Sequence, residues 1–519
     1  MRIPFILEKA LSLYADKEAV VFGKKRFTYR QFADRTYRLA NYLKKIGISQ
    51  GDCVAILHHN SNEFLECYFA VAELGAILNP LNFRLSPEEL AHILKDSGAI
   101  LLVAADRFSS QVTSLLKQDT NLKTVLCTGT GDWSIPLESM DYEDALKNEA
   151  TTPPPPLDIP DEEVAHLYYT SGTTGEPKGV MLSHKNVCSH ALAAIAELRL
   201  GDNDNWIHVA PLFHLADAWA TFAITWVGAK HVIVGDFEPE LVLSTMQNEK
   251  VTITNMIPTM LNMLVNAPGI ETYNFPSLRV ILSGGAPIAP QVVKNIMNTF
   301  KCDYYQTYGM TETSPYLTLS ILKENLAHLD PEEQFFYKAK TGRPFLGVLL
   351  KVVREDGSEV EPDDKEVGEI IVKGDIVTNG YWNKPKETAK ALKDGWLYTG
   401  DMAVVDKEGY VNIVDRKKDM IITGGENVYS VEVENILYSH PAILETAVIG
   451  IPDPKWGEAV KAIVVLKEGH KATEEEIIQY CKQQPIANYK APKSVSFISE
   501  LPKTGSGKIF KKGLKEKYR

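Results

Sequence analysis

Hydrophobic and polar positions follow two rhythms over the first hundred residues. Thr28 and Gln31 form a capping box ahead of an apolar stripe at Phe32, Tyr37, Leu39 and Leu43, which Gly47 ends. That is the 3.6-residue period of a helix with one buried face. Cys53–Leu57 is a short continuous apolar run, the mark of a buried strand. Asn60 or Ser61 can cap a helix running through Phe64, Tyr68, Val71 and Leu74 to Gly75. After a strand at Ala76–Asn79, Ser86, Pro87 and Glu89 supply an N-cap, a first-turn proline and a second capping box, and Ile100–Ala104 is another buried strand. Strands separated by helices of this length pair in parallel through crossover helices, so the fold class is α/β.

Further along, the rhythm changes. Pro153–Pro156 is a stiff polyproline run, the expected boundary inside the large body of the chain. Between residues 340 and 415, strand-like runs at Leu346–Val353 and Val367–Lys373 are punctuated by the turn pairs Asp356-Gly357, Asp394-Gly395 and Glu408-Gly409, which predicts a β-rich subdomain. After the charged run Arg416-Lys417-Lys418-Asp419 comes a small α+β unit. Its helices start near Ser430 and at Thr473, where Glu476 completes a capping box, and its strands lie at Thr446–Ile451 and Ala462–Leu466. The expectation is one large domain over residues 1–415 and a C-terminal domain over 416–519.

Composition changes this picture little, and charge changes it more. The 519 residues are 45% hydrophobic and 24% charged, enough to bury a normal core. A net charge of −12 argues against sequence-independent nucleic-acid binding, which needs a basic footprint. From Lys417 onward there are 16 Lys and Arg against 13 Asp and Glu, a net of +3 that leaves −15 on the preceding body. A mildly basic tail suits a part that docks over phosphates, and complementary domain surfaces suit it equally. The six cysteines make no CxxC pair, as expected of reduced thiols in a cytoplasmic protein. No apolar run reaches the roughly 18–20 residues of a transmembrane segment.

The candidate chemistry begins where the strand Leu167–Thr170 runs into Ser171-Gly172-Thr173-Thr174-Gly175-Glu176-Pro177-Lys178-Gly179. Glycines allow close backbone approach to an anion, hydroxyls donate to phosphate oxygens and Lys178 adds a point charge. No stretch fits a Walker loop. By composition alone such a loop is more readily a surface turn.

From Tyr169 to Gly179, however, the string resembles position for position the signature of the adenylate-forming superfamily of acyl-CoA synthetases, peptide-synthetase adenylation domains and luciferases. Further motifs follow in that family's order: Pro211-Leu212-Phe213-His214, Ser283-Gly284-Gly285-Ala286-Pro287, the run Tyr305–Thr313, Tyr398-Thr399-Gly400-Asp401, Asp415-Arg416, and Pro502-Lys503-Thr504-Gly505-Ser506-Gly507-Lys508. The resemblance spans nearly the whole chain. It implies a large domain of two α/β sheet subdomains and a β-barrel-like subdomain, followed by a small mobile α+β domain.

It also implies roles. Lys508 corresponds to the lysine that bridges substrate carboxylate and α-phosphate. Glu312 is implied as the Mg²⁺ ligand, with Thr170 contributing to the metal or phosphate shell, and Thr311 as a phosphate contact. Tyr308 stacks on adenine, with Gly285, Ala286, Pro287, Gln306, Thr307 and Gly309 around the nucleotide and the loop 170–178 on the phosphates. Asp401 and Arg416 hold the ribose, His214 stands at the mouth of the acyl pocket, Lys418 is the hinge, and Gly424 and Gly425 border the path of coenzyme A.

The implied reaction is ATP-dependent acid–CoA ligation. Amino-acid-activating relatives carry an acidic residue where His214 stands, with Asp217 three residues on, so an amino-acid substrate is disfavoured. The segment Tyr305–Tyr308 lacks the tryptophan that narrows acetate-specific pockets. Leu215, Ala216, Ala218, Ala220 and Thr221 are expected to line a larger pocket for a medium- or long-chain fatty acid. An aryl or cinnamate-type acid, a carrier-protein acceptor, a non-catalytic adenylate-binding protein and a homodimer remain open alternatives.

Overall fold

The computed structural model describes every residue except 132, 134, 136, 172–176, 286, 287, 289, 504–508 and 519, with the backbone alone at Ser171. Four sheets organise the chain. The first has seven strands in the order Glu138–Asp141, Thr124–Thr128, Leu101–Ala105, Cys53–Leu57, Ile77–Pro80, Val164–Ser171 and Pro177–Ser183. All neighbours are parallel except the last pair, a hairpin in which Thr170 faces Lys178. The second has nine strands with a parallel centre formed by Asp303–Gly309, Val280–Gly284, Ile253–Asn255, Asn205–His208 and Lys230–Ile233.

The expected early elements are present within a residue or two. Thr28 and Gln31 cap the helix Tyr29–Lys45 reciprocally, Ser61 rather than Asn60 caps Asn62–Glu73, and Ser86 with Glu89 caps Pro87–Ser97. The polyproline run is not a boundary between the sheets. The strands on either side of it, Glu138–Asp141 and Val164–Ser171, belong to the same seven-stranded sheet. The unforeseen crossing is at the start of the chain, where Glu18–Phe22 pairs in parallel with Lys230–Ile233 of the nine-stranded sheet. No local pattern reports a partner two hundred residues away.

A layer of helices lies between the two sheets and is apolar on nearly every side. Asn62–Glu73 is buried from Asn62 to Ala72, and Leu215–Trp226 is buried except at Ala216. Leu65, Phe69, Trp219 and Phe222 join one continuous core with Val54 and Ile56 of the first sheet and Trp206 and Ile253 of the second. One group of polar side chains in that layer is tied internally. Asp217, without solvent exposure, accepts from Trp206 Nε1 at 2.8 Å, and its second oxygen lies 3.1 Å from His208 Nδ1. His208 Nε2 is 2.9 Å from His231 Nδ1, and His231 Nε2 is 3.0 Å from Thr225 Oγ1.

Leu349–Val353, Gly368–Lys373, Trp396–Val405, Leu392–Lys393 and Val411–Arg416 form a third, wholly antiparallel sheet in the region expected to be β-rich. The small C-terminal part is a fourth sheet around the long pair Ile443–Asp453 and Gly457–Leu466, with the helices Ser430–Tyr438 and Glu474–Lys482 where expected, the second closed by the Thr473–Glu476 capping box and the first without a side-chain cap. Its two short strands Ile421–Thr423 and Glu426–Val428 are a hairpin turning at Gly424-Gly425, both at positive φ. All six cysteines are free and buried. Among the described residues no helix is long and apolar enough to cross a membrane.

Asp217→Ala removes the acceptor of two buried donors and strands them in the apolar layer. We expect a loss of about 3–5 kcal/mol, measured as a lowered unfolding midpoint by tryptophan fluorescence.

Candidate active site

The strands of the two parallel sheets deliver their C-terminal ends to a common cleft, the usual position for a ligand in an open α/β sheet. From the nine-stranded sheet, Asp303–Gly309 carries Tyr308 to its end, and the following short turn Thr311–Thr313 buries Glu312. Gly309 is required by packing, since a Cβ there would fall 1.8 Å from the Pro315 carbonyl oxygen. The third sheet closes the cleft. Asp401 and Arg416 are cross-strand partners, their side chains 3.3 Å apart between Asp401 Oδ1 and Arg416 Nε. The Tyr308 hydroxyl donates to Asp401 Oδ2 at 2.7 Å. Tyr308, Asp401 and Arg416 are therefore one connected group drawn from two sheets.

Glu312 has a partner that the sequence did not single out. The Tyr381 hydroxyl donates to Glu312 Oε1 at 2.9 Å, and the Glu312 carbonyl accepts from the Thr378 amide at 2.8 Å. Burial pushes the Glu312 carboxyl above its ordinary range, and the hydrogen bond from Tyr381 and the charge of Arg416 partly oppose that shift. Tyr381 follows an Asn379-Gly380 turn and precedes Trp382, so two adjacent aromatics after a turn pair were the available signal.

Lys178 occupies the hairpin of the seven-stranded sheet, opposite Thr170. It is not the free point charge expected from sequence. Its Nζ lies 2.7 Å from Glu387 Oε2 and 5.2 Å from the centre of the Tyr381 ring. The ammonium thus ties this hairpin to the helix that precedes the short strand Leu392–Lys393 of the third sheet. Glu387, on the helix Pro385–Ala391, carried no sequence signal beyond its charge.

Other expected residues are dispersed around this centre. Gln306 is buried and its amide donates to Ser320 Oγ at 2.7 Å, while Thr307 Oγ1 donates to the Ser283 carbonyl at 3.2 Å. Gly285 has φ +87° just beyond the strand Val280–Gly284, and Thr311 is half-buried. Lys418 is exposed, two residues beyond the last strand of the third sheet. Gly424 packs against the exposed Trp456 of the C-terminal sheet. Gly172, Thr173, Thr174, Gly175, Ala286, Pro287 and Lys508 lie outside the described residues, as does the side chain of Ser171.

His214 caps the helix Leu215–Trp226, its Nδ1 accepting from the Ala216 amide at 3.2 Å, and it is half-buried. Ala216 also keeps exposed surface, but Ala218, Ala220 and Thr221 have none. The expectation that those three line an open acyl pocket is corrected. The helix is buried on nearly all sides, so its small residues pack into the shared core. Asp217 faces Trp206 and His208 and is not available to pair with a substrate ammonium.

Comparison with known proteins agrees with this architecture. A family model described as AMP-binding enzyme matches residues 7–382, and one described as AMP-binding enzyme C-terminal domain matches 432–508. A feruloyl-CoA synthase of Amycolatopsis sp is 37% identical over 501 residues, covering 96% of both chains. A long-chain-fatty-acid–CoA ligase of Thermus thermophilus is 37% identical over 522 residues, covering 99% of this chain and 95% of its own. Among solved structures, the anthranilate CoA ligase AuaEII in complex with anthranoyl-AMP superposes with a TM-score of 0.90 at 28% identity, covering 100% of this chain and 97% of its own. With both halves of the fold matched at these lengths, the chain belongs to the AMP-binding enzyme family of adenylate-forming acyl-CoA ligases.

Proposed function

We propose that the protein joins a medium- or long-chain fatty acid to coenzyme A in two steps at one cleft. In the first, a carboxylate oxygen attacks the α-phosphorus of ATP, the bond to the β-phosphate breaks and pyrophosphate leaves. In the second, the sulfur of coenzyme A attacks the acyl carbonyl, AMP leaves and the thiol proton is released. The observation that carries this reading is the connected group Tyr308–Asp401–Arg416, which offers an aromatic face, a carboxylate and a guanidinium side by side. A purine can stack on the first and ribose hydroxyls can bond to the others.

The residues fit magnesium arriving with ATP. Glu312 offers a buried carboxylate, one oxygen of which accepts from Tyr381, and Thr170 stands opposite Lys178 in the hairpin. Among the described residues no group of three His, Cys, Asp or Glu could hold a metal alone. Magnesium needs few protein carboxylates when phosphate oxygens complete its shell, and it supplies charge neutralisation on the transferring group. Lys508 is the lysine assigned to the first step, where two anions meet. Lys418, between Arg416 and the strand Ile421–Thr423, is the assigned hinge, and the Gly424-Gly425 turn is the assigned edge of the coenzyme A path.

A hydroxylated aryl acid is the second reading, and one observation favours it. Asn255 Nδ2 donates to the carbonyl of Ala216, the helix residue that keeps exposed surface, and its buried Oδ1 has no partner among the described residues. A substrate hydroxyl would satisfy that oxygen.

AMP release, screened over alkanoic acids from C2 to C18 and an aryl panel with coenzyme A present, is expected to be greatest with alkanoic acids of eight carbons or more. Highest turnover with a hydroxylated aryl acid would select the second reading, and no AMP with any acid would reject both. Lys508→Ala is expected to slow adenylate formation by about 100-fold while sparing thioester formation from supplied acyl-adenylate; equal loss in both steps contradicts its assignment. Tyr381→Phe removes the donor that holds the Glu312 carboxyl down. As pH falls the ionised form is lost, so the acid limb of the adenylation rate is expected to move to higher pH, and an unmoved limb would dissociate Glu312 from the metal role.

A further inference from the structure

The backbone of residues 210–214, which leads into the helix at His214, is held from the opposite half of the large domain. The Asn60 carboxamide donates through Nδ2 to the Ala210 carbonyl at 2.9 Å and accepts at Oδ1 from the Leu212 amide at 2.8 Å. A donor and an acceptor presented to residues i and i+2 are what a neighbouring strand would offer, so one side chain stands in for a missing strand. The Tyr68 hydroxyl donates to the Leu212 carbonyl at 2.7 Å and lies 2.6 Å from the Tyr168 hydroxyl. Phe213 packs edge-on against Phe83, ring centres 5.0 Å apart. Asn60 and Tyr68 are buried, and both follow the strand Cys53–Leu57 of the seven-stranded sheet.

Tyr168 gives this arrangement its direction. It lies in the strand Val164–Ser171, whose end opens the phosphate-side loop. A continuous chain of contacts therefore runs from that strand through Tyr168 and Tyr68 to Leu212, two residues before His214. We propose that Asn60 and Tyr68 are positioning residues that hold the acid-side segment 210–214 in register with the ATP-side strand 164–171, so that the carboxylate and the α-phosphate meet aligned. The proposal rests on the ligase reading above. The alternative, that these bonds only satisfy buried backbone groups, predicts lost stability without a selective effect on the acid.

The sensitivity is expected to be large because small misplacements of reacting groups cost rate steeply. Tyr68→Phe keeps the ring and deletes only the hydroxyl; Asn60→Ala deletes both carboxamide bonds. In the full-length protein, corrected for active fraction, each variant is expected to lower kcat/KM for the acid by about tenfold or more while KM for ATP stays within about twofold. Adding His214→Ala to Asn60→Ala is expected to cost less than the product of the two separate losses, because both act through one segment. Hydrogen exchange of amides 209–215 is expected to quicken in both variants, a readout that needs no substrate. Unchanged exchange in that segment, unchanged acid kcat/KM in Tyr68→Phe, or losses that simply multiply in the double variant would each overturn the proposal. A wild-type protein that releases no AMP with any acid would instead overturn the ligase reading, leaving the exchange result to decide the clamp.

Discussion

Two sheets share a single apolar layer of helices, and that sharing constrains everything else in the large domain. A helix that serves one sheet can be polar on its far side. A helix between two sheets cannot, so Asn62–Glu73 and Leu215–Trp226 bury almost every position. Charged groups there are paired, because an unpaired buried charge costs kilocalories, while the Thr221 hydroxyl and the His166 ring stay without a partner among the described residues. Asp217 with Trp206 and His208, Glu66 with Arg35 and Tyr142, and Tyr68 with Leu212 are all paired. The Tyr68–Leu212 bond also runs from one half of the large domain to the other, and so helps fix how the strand ends of the two sheets face each other.

The cleft inherits its precision from those rigid supports and its composition from distant stretches of chain. Lys178 reaches Glu387 from the first sheet, Tyr308 reaches Asp401 from the second, and Arg416 arrives across the strand pair of the third. Lys178, Tyr308 and Arg416 lie at or next to strand ends and Asp401 within a strand, where the backbone is already ordered by its neighbours. Little further ordering of these side chains would be needed for a ligand held between them, and such pre-organisation favours affinity. Glu312 shows the cost of such a position: burial raises its pKa, and the Tyr381 hydroxyl offsets part of that shift.

Local elements were legible in the sequence because their causes are local. Capping boxes at Thr28, Ser86 and Thr473 and the buried strand Cys53–Leu57 depend on residues a few positions apart. The pairing of Glu18–Phe22 with Lys230–Ile233 has no such signature, and the polyproline run at Pro153–Pro156 misled because stiffness does not by itself separate domains. The nucleotide-side residues were named through family motifs, and the structure groups Tyr308, Asp401 and Arg416. Tyr381 and Glu387 stayed hidden because their meaning lies in partners 69 and 209 residues away. The small residues after His214 were misassigned because a run of alanines suits a pocket wall and a crowded core equally well.

The distance between Tyr308 and Asp401 along the chain has a consequence for biosynthesis. A growing chain emerges from its N-terminus, and domains fold as their last parts appear. The first two sheets can complete themselves once Arg343–Pro344 is available, yet the carboxylate and guanidinium beside Tyr308 come only with Asp401 and Arg416. A nascent chain that stopped short of residue 401 would hold both parallel sheets but lack the carboxylate and guanidinium that join Tyr308, and with them Ala403 and Val411 of the shared core. A hydrogen bond that joins the second sheet to the third therefore has to wait until the strand Trp396–Val405 has been made, however early Tyr308 itself emerges.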